Sequence, residues 1–451
     1  MLSVFAFCVL AIVLIGCIAA VWPQPGEGIG LPIVAVLSFT YLYLEQPLEL
    51  VWNHRLDSLL TDWQVAETVL MASVMLCCFV WGWRKGTARQ QVAEAQEWDP
   101  LRLWNFGFAG ASVGLILLVG LILGSGGFQQ AFSKPHGAGV DLEGVTAYIH
   151  LSPFWMLTGE AMMLMALSRL PVSRLRQLVI VVFAIILYGY SVLISGRGYM
   201  FGTTAVILVS YALGKRSQPT IAQTVPFWLV AGVLVLLVVG YRAVLHLGED
   251  RPEAPGLMQA LTANAHIDDS NPTLTGNEFV YAATVFDTVD TKQKYHLGLQ
   301  WIYTYTLHPI PRIWWPDKPY SFESPGITWA DIAEVTGIQI ADGSAPSIVA
   351  EIYQNFGLLS VLFFFLFGFL SGTLYDHAQF PGNPLPAIAY TMLCALSLNV
   401  FAQGFETMLV FWPYALIPLF AYCLYSRLTN STDKHAAIED LFESDEILLD
   451  D

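Results

Sequence analysis

The stretch LSVFAFCVLAIVLIGCIAAV, residues 2–21, runs for twenty positions without a charge. A helix rises 1.5 Å per residue, so a run of this length covers the ~30 Å hydrocarbon core of a bilayer. Comparable runs recur at 31–51, 65–83, 106–125, 150–168, 176–195, 199–214, 226–245, 347–375, 386–402 and 407–426. Backbone amides in lipid have no water to bond, and a helix satisfies them internally. The chain therefore reads as an all-α, polytopic integral membrane protein of about 11 transmembrane helices, one transmembrane domain over residues 1–426. The second run is interrupted by Glu45 and Glu49 in its last turns. Hydrophobic residues make up 55% of the 451 and charged residues only 12%, half the usual globular share and too few to clothe a soluble fold.

The net charge of −16 is unevenly placed. Residues 246–346 carry 13 acidic against 5 basic side chains, and residues 427–451 carry 8 against 2. The second stretch reads as a solvated, disordered tail. No basic stripe exists for a nucleic acid to lie on, so that class of partner is excluded. Cys8, Cys17, Cys77, Cys78, Cys394 and Cys423 all fall inside apolar runs, where they are expected as small buried hydrophobes rather than as disulfides or metal ligands. LIGC at 14–17 resembles a lipoprotein cleavage box, but no Lys or Arg precedes it, and the segment reads as a retained span.

Short-loop cations set the direction. Arg84, Lys85, Arg89 and Arg102 share one connection, Arg169, Arg174 and Arg176 another, Lys215 and Arg216 a third. The alternate connections hold only Arg55, Lys134 and Arg197. The positive-inside rule makes the first set cytoplasmic. It follows that the N-terminus is extracytoplasmic, the acidic tail cytoplasmic, and residues 246–346 one long outer loop. No ATP is available on that side.

That loop is too long and too apolar to be a linker. NEFVYAATVFDTVDTKQKY (277–295) sets Phe279, Ala282, Ala283, Phe286 and Val289 on one face, the pattern of an amphipathic helix on the membrane or on the bundle. GLQWIYTYTL (298–307) reads as a second helix, ended by His308-Pro309. HPIPRIWWPDKPYSFESPG (308–326) is stiffened by its prolines. Its Trp314 and Trp315 suit either anchoring at the membrane interface or a flat wall for sugar rings.

Arg197 in SGRGYMFG, Arg242 in VGYRAVLH, Arg312 and Lys318 all fall at the outer level. Singly each is explained by snorkelling or by a nearby carboxylate; together they suit an anion, with Arg forks matching phosphate oxygens. GSAPSIVAEIYQNFG (343–357) opens the ninth run, with Ser344 or Ser347 as the expected cap and Pro346 in the first turn. Ser347, Glu351 and Asn355 share one face, with Gln354 beside them. Such a strip faces a cavity or makes a buried contact between helices. Glu160, inside the fifth run, is either a structural acid or part of the same cavity.

SGRG, the outer loop with HPIPRIWWPDKP, and APSIVAEIYQNFG together resemble the O-antigen polymerase family, the bacterial oligosaccharide repeat-unit polymerases. The motif support covers roughly residues 190–375. An Arg-x10-Gly pattern found in the outer loops of some members is absent after Arg242 and Arg251. The resemblance implies a glycosyltransferase of GT-C-like architecture in the bacterial cytoplasmic (inner) membrane, working without a metal or other cofactor. It would move a growing glycan from undecaprenyl diphosphate to the next lipid-linked unit, as in O-antigen, lipopolysaccharide or exopolysaccharide biosynthesis. Its expected partners are undecaprenyl-diphosphate-linked oligosaccharides, membrane lipids, and chain-length regulator and flippase proteins. In that scheme Arg197, Arg242 and Lys318 bind the diphosphate. Glu351, Arg312 and His308 are catalytic, with His246 a further candidate base. Trp314, Trp315, Tyr353, Asn355 and Glu278 contact glycan. An O-antigen ligase, or a flippase or polysaccharide exporter, is the alternative activity. DLE at 141–143 is the one short-loop carboxylate pair a metal-dependent transferase could use.

Overall fold

The computed structural model describes residues 1–21, 30–88, 98–124, 127, 149, 151–171, 173–193, 197–215, 274–275, 277–307, 310, 314–315, 317–318, 325–340, 344–380 and 383–429, without the side chains of Arg197, Leu274 and Thr275. The described elements are almost all helical. They run α1 (Leu2–Val21), α2 (Leu31–Thr40), α3 (Gln46–Trp52), α4 (Leu56–Leu59), α5 (Asp62–Thr87), α6 (Pro100–Gly124), α7 (Pro153–Leu167), α8 (Arg174–Leu193) and α9 (Arg197–Lys215). After them come α10 (Glu278–Lys292), α11 (Leu299–Thr306), α12 (Trp329–Thr336), α13 (Ser347–Phe356), α14 (Ser360–Ala378), α15 (Pro384–Gln403), α16 (Phe405–Ala415) and α17 (Ile417–Thr429). A two-residue parallel pair, Leu274–Thr275 with Gln339–Ile340, ties the ends of the α10–α12 segment together.

Seven helical stretches among the described residues are long and apolar enough to cross a membrane, or eight when α16 and α17, bent by 40° at their junction, count as one. This is a multi-pass α-helical membrane protein. The second run, despite Glu45 and Glu49, is one such stretch from Leu31 to Trp52, with a wider π turn at Tyr41–Glu45 joining α2 to α3. The runs at 150–168 and 199–214 form α7, of 15 residues, and α9, of 19, which are helical but outside that set. The run at 226–245 and DLE 141–143 lie outside the described residues. Helix α17 reaches Thr429, so the first residues assigned to the acidic tail are helical, and residues 430–451 lie outside the description.

Helix α15 is central: 67% of its most apolar stretch is buried, against 22% for α1 at the periphery. Helices α5 and α14 pack closely because glycines face each other. A Cβ on Gly82 or Gly86 would strike the α14 backbone, and one on Gly368 or Gly372 the α5 backbone. Gly107 and Gly159 do the same for α6 and α7. Without side chains between them, backbones gain dispersion contacts that water-driven burial does not supply in lipid. The cysteines depart from expectation: Cys17 and Cys394 are buried, but Cys8 and Cys77 face outward from the bundle, as apolar thiols against lipid can.

The two ends of the bundle differ in character. Asp62 at the start of α5 accepts from the backbone of Leu2 and Ser3, and Gln64 donates to Asp287 of α10. The starts of α1 and α5 therefore share the end where α10–α12 sit. At the opposite end Arg102 donates to Thr429, Arg169 lies 4.8 Å over Trp98 and Arg176 lies 5.8 Å over Trp104. Of the cations that the sequence groups on one side of the membrane, Arg102, Arg169 and Arg176 thus share one end of the molecule.

Candidate functional site

The α10–α12 segment packs onto the bundle rather than floating on it. Asn277 caps α10 by accepting from Val280 N, and Thr328 with Asp331 forms a reciprocal capping box on α12. Phe279, Ala282, Ala283, Phe286 and Val289 are buried as the pattern required, but Thr284 and Thr288 are buried too. Their hydroxyls bond back to the carbonyls of Tyr281 and Thr284, which lets a second face be covered.

Helix α13 begins without the expected serine cap. Pro346 is its N-cap residue and offers no side-chain bond. Ser347 instead takes φ +66°, a strained value for a residue with a Cβ, and its Oγ lies 2.5 Å from the Tyr43 hydroxyl. The polar strip then divides. Asn355 is fully buried; its Nδ2 donates to Glu351 O and its Oδ1 accepts from Gly298 N. His296 N and Leu297 N donate to Gln354 O and Asn355 O. The 295–298 turn thereby satisfies carbonyls that the end of α13 leaves unpaired. Asn355, assigned to glycan, is a strut of this turn.

Glu351 lies where two helix breaks meet. Gly404, at φ +124°, separates α15 from α16, and Gly357, at φ +55°, separates α13 from α14. The Glu351 Oε1 accepts from Trp301 Nε1 at 2.5 Å and from Glu406 N at 3.1 Å. Its carboxylate therefore sits at the positive end of α16. Glu406, in the first turn of α16, accepts from Gln300 Nε2 at 2.8 Å and from the Thr304 hydroxyl. Two carboxyl groups are thus held side by side, each oriented by fixed donors.

Both line a cleft of about 400 Å³. Gln300, Gln354 and Gln403 bring amides to its wall, His296 an imidazole, and Tyr281, Trp329 and Phe411 aromatic rings. Burial lowers the His296 pKa below the usual imidazole value, against a hydrogen bond to the Ile327 backbone that acts the other way. Glu160 does not line this cleft; it is fully buried in α7 with both carboxyl oxygens lacking a hydrogen-bond partner. Of the two readings of Glu160, the structural acid is the one its position fits.

The other assigned residues are spread out. Tyr353 donates to Asp290 Oδ1 at 2.6 Å and its ring lies 4.1 Å from that of Phe286, so it pins α13 to α10. Glu278 accepts from Gln46 Nε2, while Gln46 Oε1 accepts from Phe279 N, a two-way clamp between α3 and α10. Lys318 is buried, and its Nζ donates to Ile310 O within its own loop. Trp314 is 79% exposed and Trp315 38%. Arg242, His246, His308 and Arg312 lie outside the described residues, as does the Arg197 side chain at the start of α9. Among the described residues no group of three or more His, Cys, Asp or Glu is placed to hold a metal ion.

Sequence reasoning missed Glu406, Gln403, Gln300 and His296. AQGFET at 402–407 carried a signal: a glycine followed by an acid between two apolar runs marks a helix break with a polar lining. Comparison with known protein families, with curated proteins and with solved structures returns no match for this chain.

Proposed function

We propose that this protein polymerises polyprenyl-diphosphate-linked oligosaccharide repeat units at the outer face of a bacterial cytoplasmic membrane, as a GT-C-like glycosyltransferase of about eleven spans. One observation carries the reading. Glu351, on the APSIVAEIYQNFG stretch, stands in the wall of a cleft with a second carboxyl group, three amides and aromatic rings, at the bundle end away from the clustered cations. Amides and carboxylates match sugar hydroxyls, and aromatic faces match the apolar faces of pyranose rings.

The reaction needs an acceptor hydroxyl aligned with an anomeric carbon. The hydroxyl oxygen forms the new glycosidic bond as the anomeric bond to the diphosphate breaks, and the diphosphate leaves with the electron pair. Glu351 takes the hydroxyl proton. Arg197, Arg242, Arg312 and Lys318 are assigned to the charge growing on the departing diphosphate. The donor brings its own leaving group, so no nucleotide is needed outside the cell.

The test is substitution of Glu351, Arg312 and Arg197 singly by Ala, with membrane insertion confirmed and glycan chain length read on gels. Purified protein given lipid-linked repeat units checks the same step directly. Shortened or absent polymer is the expected result. Wild-type chain length in all three variants overturns the reading.

A further inference from the structure

The cleft wall is acidic and rich in amides. Its described wall presents two carboxyl groups, Glu351 and Glu406, together with the amides of Gln300, Gln354 and Gln403. The carboxyl of Glu406 is fixed by Gln300 and Thr304, and that of Glu351 by Trp301 and the start of α16, so neither swings away from an arriving ligand without breaking bonds. Among the described residues no Lys or Arg lines the cleft, and the two lysines at the end of α10 are engaged elsewhere: Lys294 with Asp331 at 3.1 Å and Lys292 with Glu334 at 2.7 Å. Trp329, half exposed, adds an aromatic ring to the lining.

We infer that this cleft binds a hydroxyl- or ammonium-bearing pyranose ring and discriminates against a carboxylated one, with Glu406 as the discriminating residue. The inference rests on the polymerase reading only for calling the ligand a glycan. It divides labour within that reading: the cleft holds sugar, and the anionic diphosphate is bound outside this acidic wall. A ring carboxylate brought against Glu406 meets like charge in a partly desolvated site, where repulsion exceeds its value in water. An ammonium in the same place gains a charge-assisted hydrogen bond.

The probes are methyl glucoside, methyl glucosaminide and methyl glucuronide, which differ by one substituent on a common ring. Binding to the full-length protein in nanodiscs is read by tryptophan fluorescence and by ligand-observed NMR. The expected order is glucosaminide, then glucoside, then glucuronide, the last weaker than the glucoside by about tenfold. High salt should narrow the spread in the unaltered protein. Glu406→Gln, which keeps an acceptor for Thr304, should remove most of the difference between the charged probes, and Trp329→Ala should weaken all three alike. Binding of the glucuronide equal to or tighter than the glucoside, or binding of none, overturns the inference. The same preparation is given lipid-linked repeat units. No elongation with the charge order intact sinks the polymerase reading alone; elongation without the charge order sinks this inference alone.

Discussion

A Cβ on Gly404 would overlap the Glu351 carboxyl, so the acid occupies space that only glycine leaves free. Gly404 also adopts φ +124°, a value L side chains rarely take. Gly404→Ala therefore meets two penalties, backbone strain and a displaced carboxyl. The variant should lose about 2 kcal/mol or more. Thermal unfolding in detergent reads the loss, and weakened glucoside binding reports the shift of Glu351. A variant as stable as the parent would mean that the α15–α16 junction is laid out differently.

The strut role of Asn355 has a measurable consequence. Asn355→Ala leaves the buried Gly298 amide without its acceptor, at a cost of about 2 kcal/mol. Tyr353→Phe removes one hydroxyl bond to Asp290 but keeps the ring against Phe286, and should cost about 1 kcal/mol. Hydrogen exchange should quicken in the 295–298 turn for the first variant and not for the second. If both variants instead leave stability unchanged and abolish sugar binding, the two residues are ligand contacts.

Close backbone approach between α5 and α14 predicts a contrast among glycines. Gly368→Leu forces a side chain into the carbonyl of Phe79 and should cost about 3 kcal/mol. A Cβ on Gly120 meets nothing within 4 Å, so Gly120→Leu should stay within about 0.5 kcal/mol of the parent. Both are read by the same thermal assay. Equal effects would refute the packing.

Hydrophobic run length made most spans legible, because a bilayer imposes one length on every helix that crosses it. It also gave α10 and α11, whose apolar faces repeat at helical spacing. The cleft was half legible. Glu351 stood out as an acid in an apolar run, and its neighbours at i ± 4 were visible with it. Which of them would face the cleft was not, because that depends on the 295–298 turn closing over the end of α13, a contact between segments about sixty residues apart. Glu406 escaped for the same reason: its partners Gln300 and Thr304 lie on α11, about a hundred positions away. Gln46 and Glu278 found each other across more than two hundred. Sequence spacing exposes partners within one helix, not partners that tertiary packing brings together.

His296 makes stability depend on pH. The residue is 7% exposed, its ring sits against Gly326, it bonds to the Ile327 backbone, and burial holds its folded-state pKa below the usual value. The unfolded chain, with an imidazole near 6.5, then binds more protons than the folded one as pH falls. The stabilisation is fully present above about pH 6.5 and is lost as acid drives the ring to charge in a buried site. Melting temperature should therefore fall as pH drops below about 6.5, and His296→Gln should flatten that part of the profile by removing the titrating group. Gly326→Ala, whose methyl would press into the imidazole, should lower the melting temperature at every pH. A profile with the same slope in the parent and in His296→Gln would show that other groups govern the acid response.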